Sequence, residues 1–412
     1  MSQPQIELLP LRTAVCADAP VTLDVLVRVT PPPPAVRPQR PALNLGLVLD
    51  RSGSMAAHNK LDFARQAAIY AVQQLLPTDR VSVTLFDDAV QTLVPNTPAD
   101  DKGRIAELIQ AVQPGNTTAL HGGWQDGGRQ VGRHLLAGGL NRVLLLSDGL
   151  ANVGQTNPDA IAADVSRLAR EGVSTTTLGV GDDYHEDLLE AMARSGDGNY
   201  YYIESPKQLP DIFQTELQGL MATVGRGVRL ALEPQSGATV ADVLNDFERD
   251  PDGRLALPNL IVGMPADVVV RLNVPPQANR AELLRVRLAW QTSEGVAQET
   301  TAVLALPAVG AAEWDALAAD AAVQERAVLL QCGRLKRQAT KHIEQGHKDE
   351  ALALLRQARE LLAALPRSPL VEEEERDLNA VESRLEQGDY YGSAKLGKYQ
   401  HYQRTHSRPK LS

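Results

Sequence analysis

Cysteine is nearly missing from this chain of 412 residues, which holds only Cys16 and Cys332. Two thiols so far apart build neither a disulfide framework nor a cysteine-based zinc site, and they suit a reducing compartment. Long apolar runs are missing as well. Met1 to Leu9 has no basic stretch followed by an apolar core of about 7 to 15 residues, and no run of about eighteen apolar residues occurs anywhere. Neither a secretory signal nor a membrane span is expected, and the reading is a cytoplasmic protein. Aromatic residues make up only 4% of the chain, so its cores must be packed from Leu, Val, Ala and Ile. An excess of positive charge is lacking too. Against 51 Asp plus Glu stand 41 Lys plus Arg, a net charge of −10, which excludes a nucleic-acid binder acting through its whole surface.

What is present is the balance of a globular protein, 43% apolar and 22% charged. At roughly 150 residues per domain the length allows two to three domains. Residues 1–41 begin with β-type alternation, clearest in Val21-Thr22-Leu23-Asp24-Val25-Leu26-Val27-Arg28-Val29, which reads as a strand with one wet face. They end in a stiff linker containing Pro31 to Pro34, Pro38 and Pro41. Over 42–224 strands and helices alternate. Leu43 to Leu49 is nearly all apolar and reads as a central strand buried on both faces; Lys60 to Leu76 follows with helical spacing. Further strands are expected at Val81 to Phe86, Val143 to Leu146, Ser174 to Val180 and Asn199 to Ile203. The fold class is α/β, a doubly wound, mostly parallel, Rossmann-like sheet, whose ligand site belongs at the carboxyl ends of its strands. Short alternating runs over 225–308 predict an antiparallel β-sandwich completed by the N-terminal strand. Residues 309–388 read as a helical hairpin or three-helix region. Residues 389–412, with Lys395, Lys398, Arg404, Arg408 and Lys410 and no acid after Asp389, read as a basic flexible tail.

One constellation carries chemistry. Asp50-Arg51-Ser52-Gly53-Ser54 stands where the buried strand ends, and an aspartate followed by hydroxyls at alternate positions can turn three oxygens toward one point. A second loop offers Gly115-Asn116-Thr117-Thr118, and a third ends a strand with Ser147-Asp148-Gly149. Two carboxylates and three hydroxyls along one sheet edge suit a small, hard divalent cation, with a coordination position left open. Mg²⁺ is the expected ion, with Mn²⁺ or Ca²⁺ as alternatives.

These residues resemble the von Willebrand factor type A domain and its metal-ion-dependent adhesion site. The family signature, Asp-x-Ser-x-Ser, then a Thr in a Gly-rich loop, then a later Asp at a strand end, falls on Asp50, Ser52, Ser54, Thr117 and Asp148. The resemblance runs from about Ala42 to Val224 and includes Gly179-Val180-Gly181 and Gly198-Asn199-Tyr200-Tyr201. With its flanking β segments the chain looks like bacterial relatives of inter-α-trypsin-inhibitor heavy chains and calcium-activated-channel-like proteins. The resemblance implies that Ser52, Ser54 and Thr117 bind the ion directly and that Asp50 and Asp148 act directly or through water. It also implies a partner protein that completes the shell with an Asp or Glu. Asn116 departs from a Gly common in the family, and Thr118 competes with Thr117 for the ligand role. His121 and Trp124 fall near the same edge as candidates for a partner-facing rim.

Bland alternatives exist for each residue taken singly, since Ser, Thr and Asp also cap helices and form turns. Gly392 to Tyr399 nearly spells a phosphate-binding loop, but Tyr399 replaces the required hydroxyl residue. His342 and His347 stand five apart, on different sides of a helix. An aspartyl-phosphate phosphohydrolase would need a second carboxylate where this chain has Ser52, so an enzyme is not expected. A scaffold binding through its helices and basic tail is the remaining alternative, and the tail is the one segment suited to nucleic acid.

Overall fold

The computed structural model describes residues 3–32, 42–136, 139–148, 151–180, 186–203, 206–208, 211, 212, 214, 216, 223–292 and 295–405. Most of the Pro-rich linker (33–41), Gly149, Gly181, much of the helix expected over 206–224 and the last residues of the tail lie outside that set. The chain divides into two compact units, one built from Met1–Val36 with Thr223–Lys410, the other centred on Arg37–Ala222. Strands β1 (Gln5–Pro10), β2 (Val15–Cys16) and β3 (Val21–Thr30) belong to the first.

The second unit is a six-stranded sheet, in chain order β4 (Leu43–Asp50), β5 (Arg80–Phe86), β6 (Val90–Pro98), β7 (Leu140–Ser147), β8 (Ser174–Val180) and β9 (Tyr200–Ile203). Its spatial order is β6-β5-β4-β7-β8-β9, parallel throughout except for β6. β4 and β7 are buried along their whole length, which is why both read as apolar runs. β6 is an addition to the strands read from hydropathy. Pro95 and Pro98 mask it, and an edge strand tolerates them because one side of its ladder is free.

The helices of this unit are α1 (Lys60–Gln74), α2 (Lys102–Gln110), α3 (Leu120–Gly132), α4 (Pro158–Arg170) and α5 (Glu186–Ser195). Leu45, Leu47 and Leu49 of β4 share one core with Ala64, Ala68 and Val72 of α1. α3 approaches the sheet so closely that a Cβ on Gly127 would stand 2.2 Å from Val48, and one on Gly123 would stand 2.4 Å from Phe86. Two glycines one helical turn apart set that approach.

In the first unit β3 pairs antiparallel with β1 and with a later strand, Ala266–Val274. Leu23, Val25, Val27 and Val29 face the core shared with Val286, Leu288 and Trp290 of strand Ala281–Gln291. The opposite face of β3 is not the wet face expected. Asp24 pairs with Arg271 at 2.7 Å and Arg28 with Asp267 at 2.8 Å, each directly across the ladder. Leu26 lies under Val323, Ala327 and Leu330 of a helix, Ala321–Glu344.

Further helices follow at Lys348–Ala363, Pro369–Glu386 and Tyr390–Thr405. The last of these stands over 390–405, where a flexible tail was expected from 389 onward; 406–412 lie outside the described residues. Its cations are consumed by acids of the helices before it: Lys398 meets Glu344 at 2.6 Å, and Arg404 meets Glu374 at 2.7 Å. Ala394 joins the helical core, and Tyr402 is buried. A segment whose charges are matched by distant neighbours folds, although its own composition resembles a solvated tail. Among the described residues no helix is long and apolar enough to cross a membrane.

Candidate metal centre

β4 and β7 are parallel neighbours at the place where the strand order reverses, and their carboxyl ends open the crevice in which ligands of such sheets bind. Asp50 ends β4 and is fully buried. The backbone N–H of Ser52 donates to its Oδ1 at 2.8 Å, and the Ser147 hydroxyl donates to its Oδ2 at 2.5 Å. The Ser52 and Ser54 hydroxyl oxygens stand 3.1 Å apart. Asp148, also fully buried, holds its Oδ2 3.3 Å from the Lys60 ammonium, whereas its Oδ1 has no hydrogen-bond partner among the described residues. Burial first, and the neighbouring charge of Asp148 second, push the Asp50 carboxyl up to about 7, against the lowering effect of the Ser147 and Ser52 hydrogen bonds.

The Gly-rich loop is laced to the first loop through its backbone. Gly115 N–H donates to the Arg51 carbonyl at 2.5 Å, and Gly53 N–H donates to the Asn116 carbonyl at 2.6 Å. A Cβ on Gly115 would stand 1.9 Å from an Asp87 carboxylate oxygen, so this approach requires glycine. Asp87, just past β5, pairs with Arg51 at 3.0 Å and accepts the Ala119 N–H on its carbonyl at 2.7 Å. Thr117 is exposed. Thr118 is buried, its N–H bound to the Asn152 side chain at 2.8 Å and its carbonyl to the backbone of Asn152 and Val153.

The donor set fits a hard divalent cation. A buried carboxylate oxygen without a donor is costly in a folded protein, and a second buried carboxylate beside it raises that cost. A cation would relieve both. Among the described residues no group of three or more His, Cys, Asp and Glu could hold a metal, so any ion here depends on the serine and threonine hydroxyls as well.

His121 and Trp124 do not form a rim. Trp124 is buried in α3, its indole N–H donating to the Thr175 hydroxyl at 3.0 Å. His121 stacks on it with ring centroids 5.8 Å apart and meets Asp164 at 2.9 Å. Both pack α3 onto its neighbours. Two site residues escaped the sequence reading of ligands: Ser147, which shares Asp50, and Lys60, which holds Asp148. Lys60 carried a signal, since a lysine opening a helix opposes the helix dipole.

Comparison with known proteins bears on the fold that carries these residues. The Escherichia coli protein YfbK is 28% identical over 194 residues, 47% of this chain and 34% of YfbK. Human inter-alpha-trypsin inhibitor heavy chain H4 is 29% identical over 195 residues, 44% of this chain and 21% of H4. The chain thus spans about a third or less of these relatives. The crystal structure of VWA2, an ArnB paralog from Sulfolobus acidocaldarius, has the same fold over 97% of this chain and 98% of its own, with a TM-score of 0.64 at 20% identity. The profile of the von Willebrand factor type A domain matches residues 44–215, and the chain carries a domain of that family there.

Proposed function

We propose that the carboxyl edge of the sheet is a metal-ion-dependent adhesion site through which the chain binds an acidic side chain of a partner protein. The observation that carries this reading is the buried, unpartnered Oδ1 of Asp148 beside a second buried carboxylate, Asp50. Ser52, Ser54 and Thr117 supply direct hydroxyl ligands, and Asp50 and Asp148 act directly or through water. Thr117 takes the role over Thr118, which is buried with its backbone tied to Asn152 and Val153. The ion is Mg²⁺, with Mn²⁺ or Ca²⁺ as the alternatives, because the donors are hard oxygens and few of them are charged. Neutral hydroxyls leave the ion under-compensated, so an incoming carboxylate gains more than at an all-carboxylate cage. The role is binding, as an adaptor in a larger assembly of the kind the resemblance to bacterial relatives suggests, rather than catalysis.

The test measures the melting temperature and calorimetric titration of the full chain with Mg²⁺, Mn²⁺ and Ca²⁺, and captures partners with and without chelator. Metal should raise the melting temperature, and Asp148→Ala should abolish both that rise and the chelator-sensitive capture. A melting temperature indifferent to all three ions would end this reading.

A further inference from the structure

Two histidines that a continuous helix would separate are brought together where one helix ends. Helix Ala321–Glu344 stops short of His347, and its exit has a defined geometry. The N–H of Gly346 donates to the Ile343 carbonyl at 3.0 Å, the N–H of His347 donates to the His342 carbonyl at 2.8 Å, and Gly346 takes the left-handed φ of 77° that such a turn needs. This pair of bonds sets the residue after the glycine over the residue three before the cap, a place where two apolar side chains commonly meet. Here two imidazoles meet instead, with the ring centroids of His342 and His347 5.9 Å apart and the rings tilted by 44°. Because the helix does not run through both residues, a spacing of five does not part them.

Neither ring is explained by the turn itself. His347 stands at the N-cap of helix Lys348–Ala363, yet its side chain is exposed and makes no capping bond. His342 is half-buried, and its Nδ1 is buried without a hydrogen-bond partner among the described residues. Two imidazoles sharing one ion, each nitrogen about 2.0–2.1 Å from it, hold their ring centroids no more than about 6.5 Å apart. The observed 5.9 Å lies within that reach. We propose that His342 and His347 form a metal site of a second kind, an imidazole pair that binds a divalent transition ion of the Ni²⁺, Cu²⁺ and Zn²⁺ class. No third His, Cys, Asp or Glu completes a metal-holding group with them among the described residues, so the remaining coordination positions fall to water. Imidazole nitrogens suit these ions, whereas Mg²⁺ and Ca²⁺ take hard oxygens. The preference is thus opposite to that of the oxygen-lined sheet edge, and the site stands whether or not that edge holds a metal. A bound ion ties the end of one helix to the start of the next.

The experiment titrates Ni²⁺ calorimetrically into the full chain in excess Mg²⁺, for the wild type, His342→Gln, His347→Gln and Asp148→Ala. The wild type should take up one Ni²⁺ through the pair, and either histidine variant should bind it about a hundredfold more weakly, because one imidazole then acts without the other. Asp148→Ala should bind Ni²⁺ as the wild type does. His347→Gln changes an exposed side chain, so it keeps the test decisive even if His342→Gln does not fold. A folded His347→Gln with the wild-type affinity for Ni²⁺ overturns the site, as does a wild type that takes up no Ni²⁺. Loss of Ni²⁺ binding in a folded Asp148→Ala would put the ion at the sheet edge and overturn it equally.

Discussion

At the amino ends of the central strands Glu216 is deeply buried, and every one of its partners is in place. Arg142 of β7 and the Thr176 hydroxyl share its Oε1, while Asn199 and Tyr201 donate to its Oε2 at 2.6 and 2.8 Å. Despite burial, these partners hold the carboxyl below its ordinary range, Arg142 foremost among them. Beside this cluster Asn44 donates to the carbonyls of Val131 and His134 and to Asn141, and accepts from Asn96 at 2.7 Å. At the carboxyl ends of the same strands Asp148 is buried as deeply, yet one of its oxygens meets no donor, and Asp50 is pushed in the opposite direction from Glu216. Burial of charge is common to both ends and so marks neither as functional. What separates the two carboxylates is satisfaction: both oxygens of Glu216 meet donors, whereas Oδ1 of Asp148 meets none among the described residues, the demand that the proposed cation would fill.

The comparison can be broken by removing one carboxylate charge from each end. Glu216→Gln leaves the Arg142 guanidinium buried without its counter-charge and should cost about 3–5 kcal/mol in denaturant unfolding, the usual result of halving a buried ion pair. Asp50→Asn should act with the opposite sign. At pH 8 with chelator present it removes a buried charge and that charge's repulsion with Asp148, and should stabilise the protein by about 1–2 kcal/mol, less than the full pKa shift implies because the amide keeps only part of the hydrogen bonding from Ser52 and Ser147. The same variant should lose the metal-induced rise in melting temperature. Destabilisation by both substitutions would mean that the two ends do not differ.

A smaller effect appears in pH dependence. Asp50 has a folded pKa above its unfolded one, so its contribution to metal-free stability is fully present below about pH 4 and is lost as the pH rises through about 7. Glu216 has a lowered folded pKa, so its contribution is present above the unfolded value and is lost as the pH falls through the folded one. Melting curves of the chelated protein should show the Asp50 loss on the neutral side, and Asp50→Asn should flatten that side alone. Metal should reverse the neutral-side loss, because the ion replaces the proton as the partner of the ionised pair.

The two ends were also unequally legible. Asp50, Ser52 and Ser54 lie within five residues at the end of a strand whose burial on both faces makes it apolar throughout, so local pattern was enough to place them. The closed end joins Arg142 to Glu216 across 74 positions, and no local pattern links them. The same limit explains the last helix. Lys398 and Arg404 look unpaired in their own segment, and their acids, Glu344 and Glu374, arrive from other helices. Lys60 was visible as a residue and invisible as a site member, because its meaning depends on Asp148, 88 positions away. Long-range charge pairing is the common thread in what the pattern of the chain left unread.

The smallest expected effect concerns the boundary of the open end. His121 meets Asp164, a partly exposed carboxylate that also pairs with Arg167 at 2.8 Å, and its ring stacks on buried Trp124. The hydrogen bond to a partly exposed carboxylate contributes about 0–1 kcal/mol and truncation of the buried ring adds a packing loss to it, so His121→Ala should lower stability modestly. Because His121 packs α3 rather than facing a partner, the variant should keep the wild-type affinity for Mn²⁺ and capture the same partners in its presence. Loss of capture with unchanged ion affinity would extend the open end outward to α3 and restore His121 to its rim.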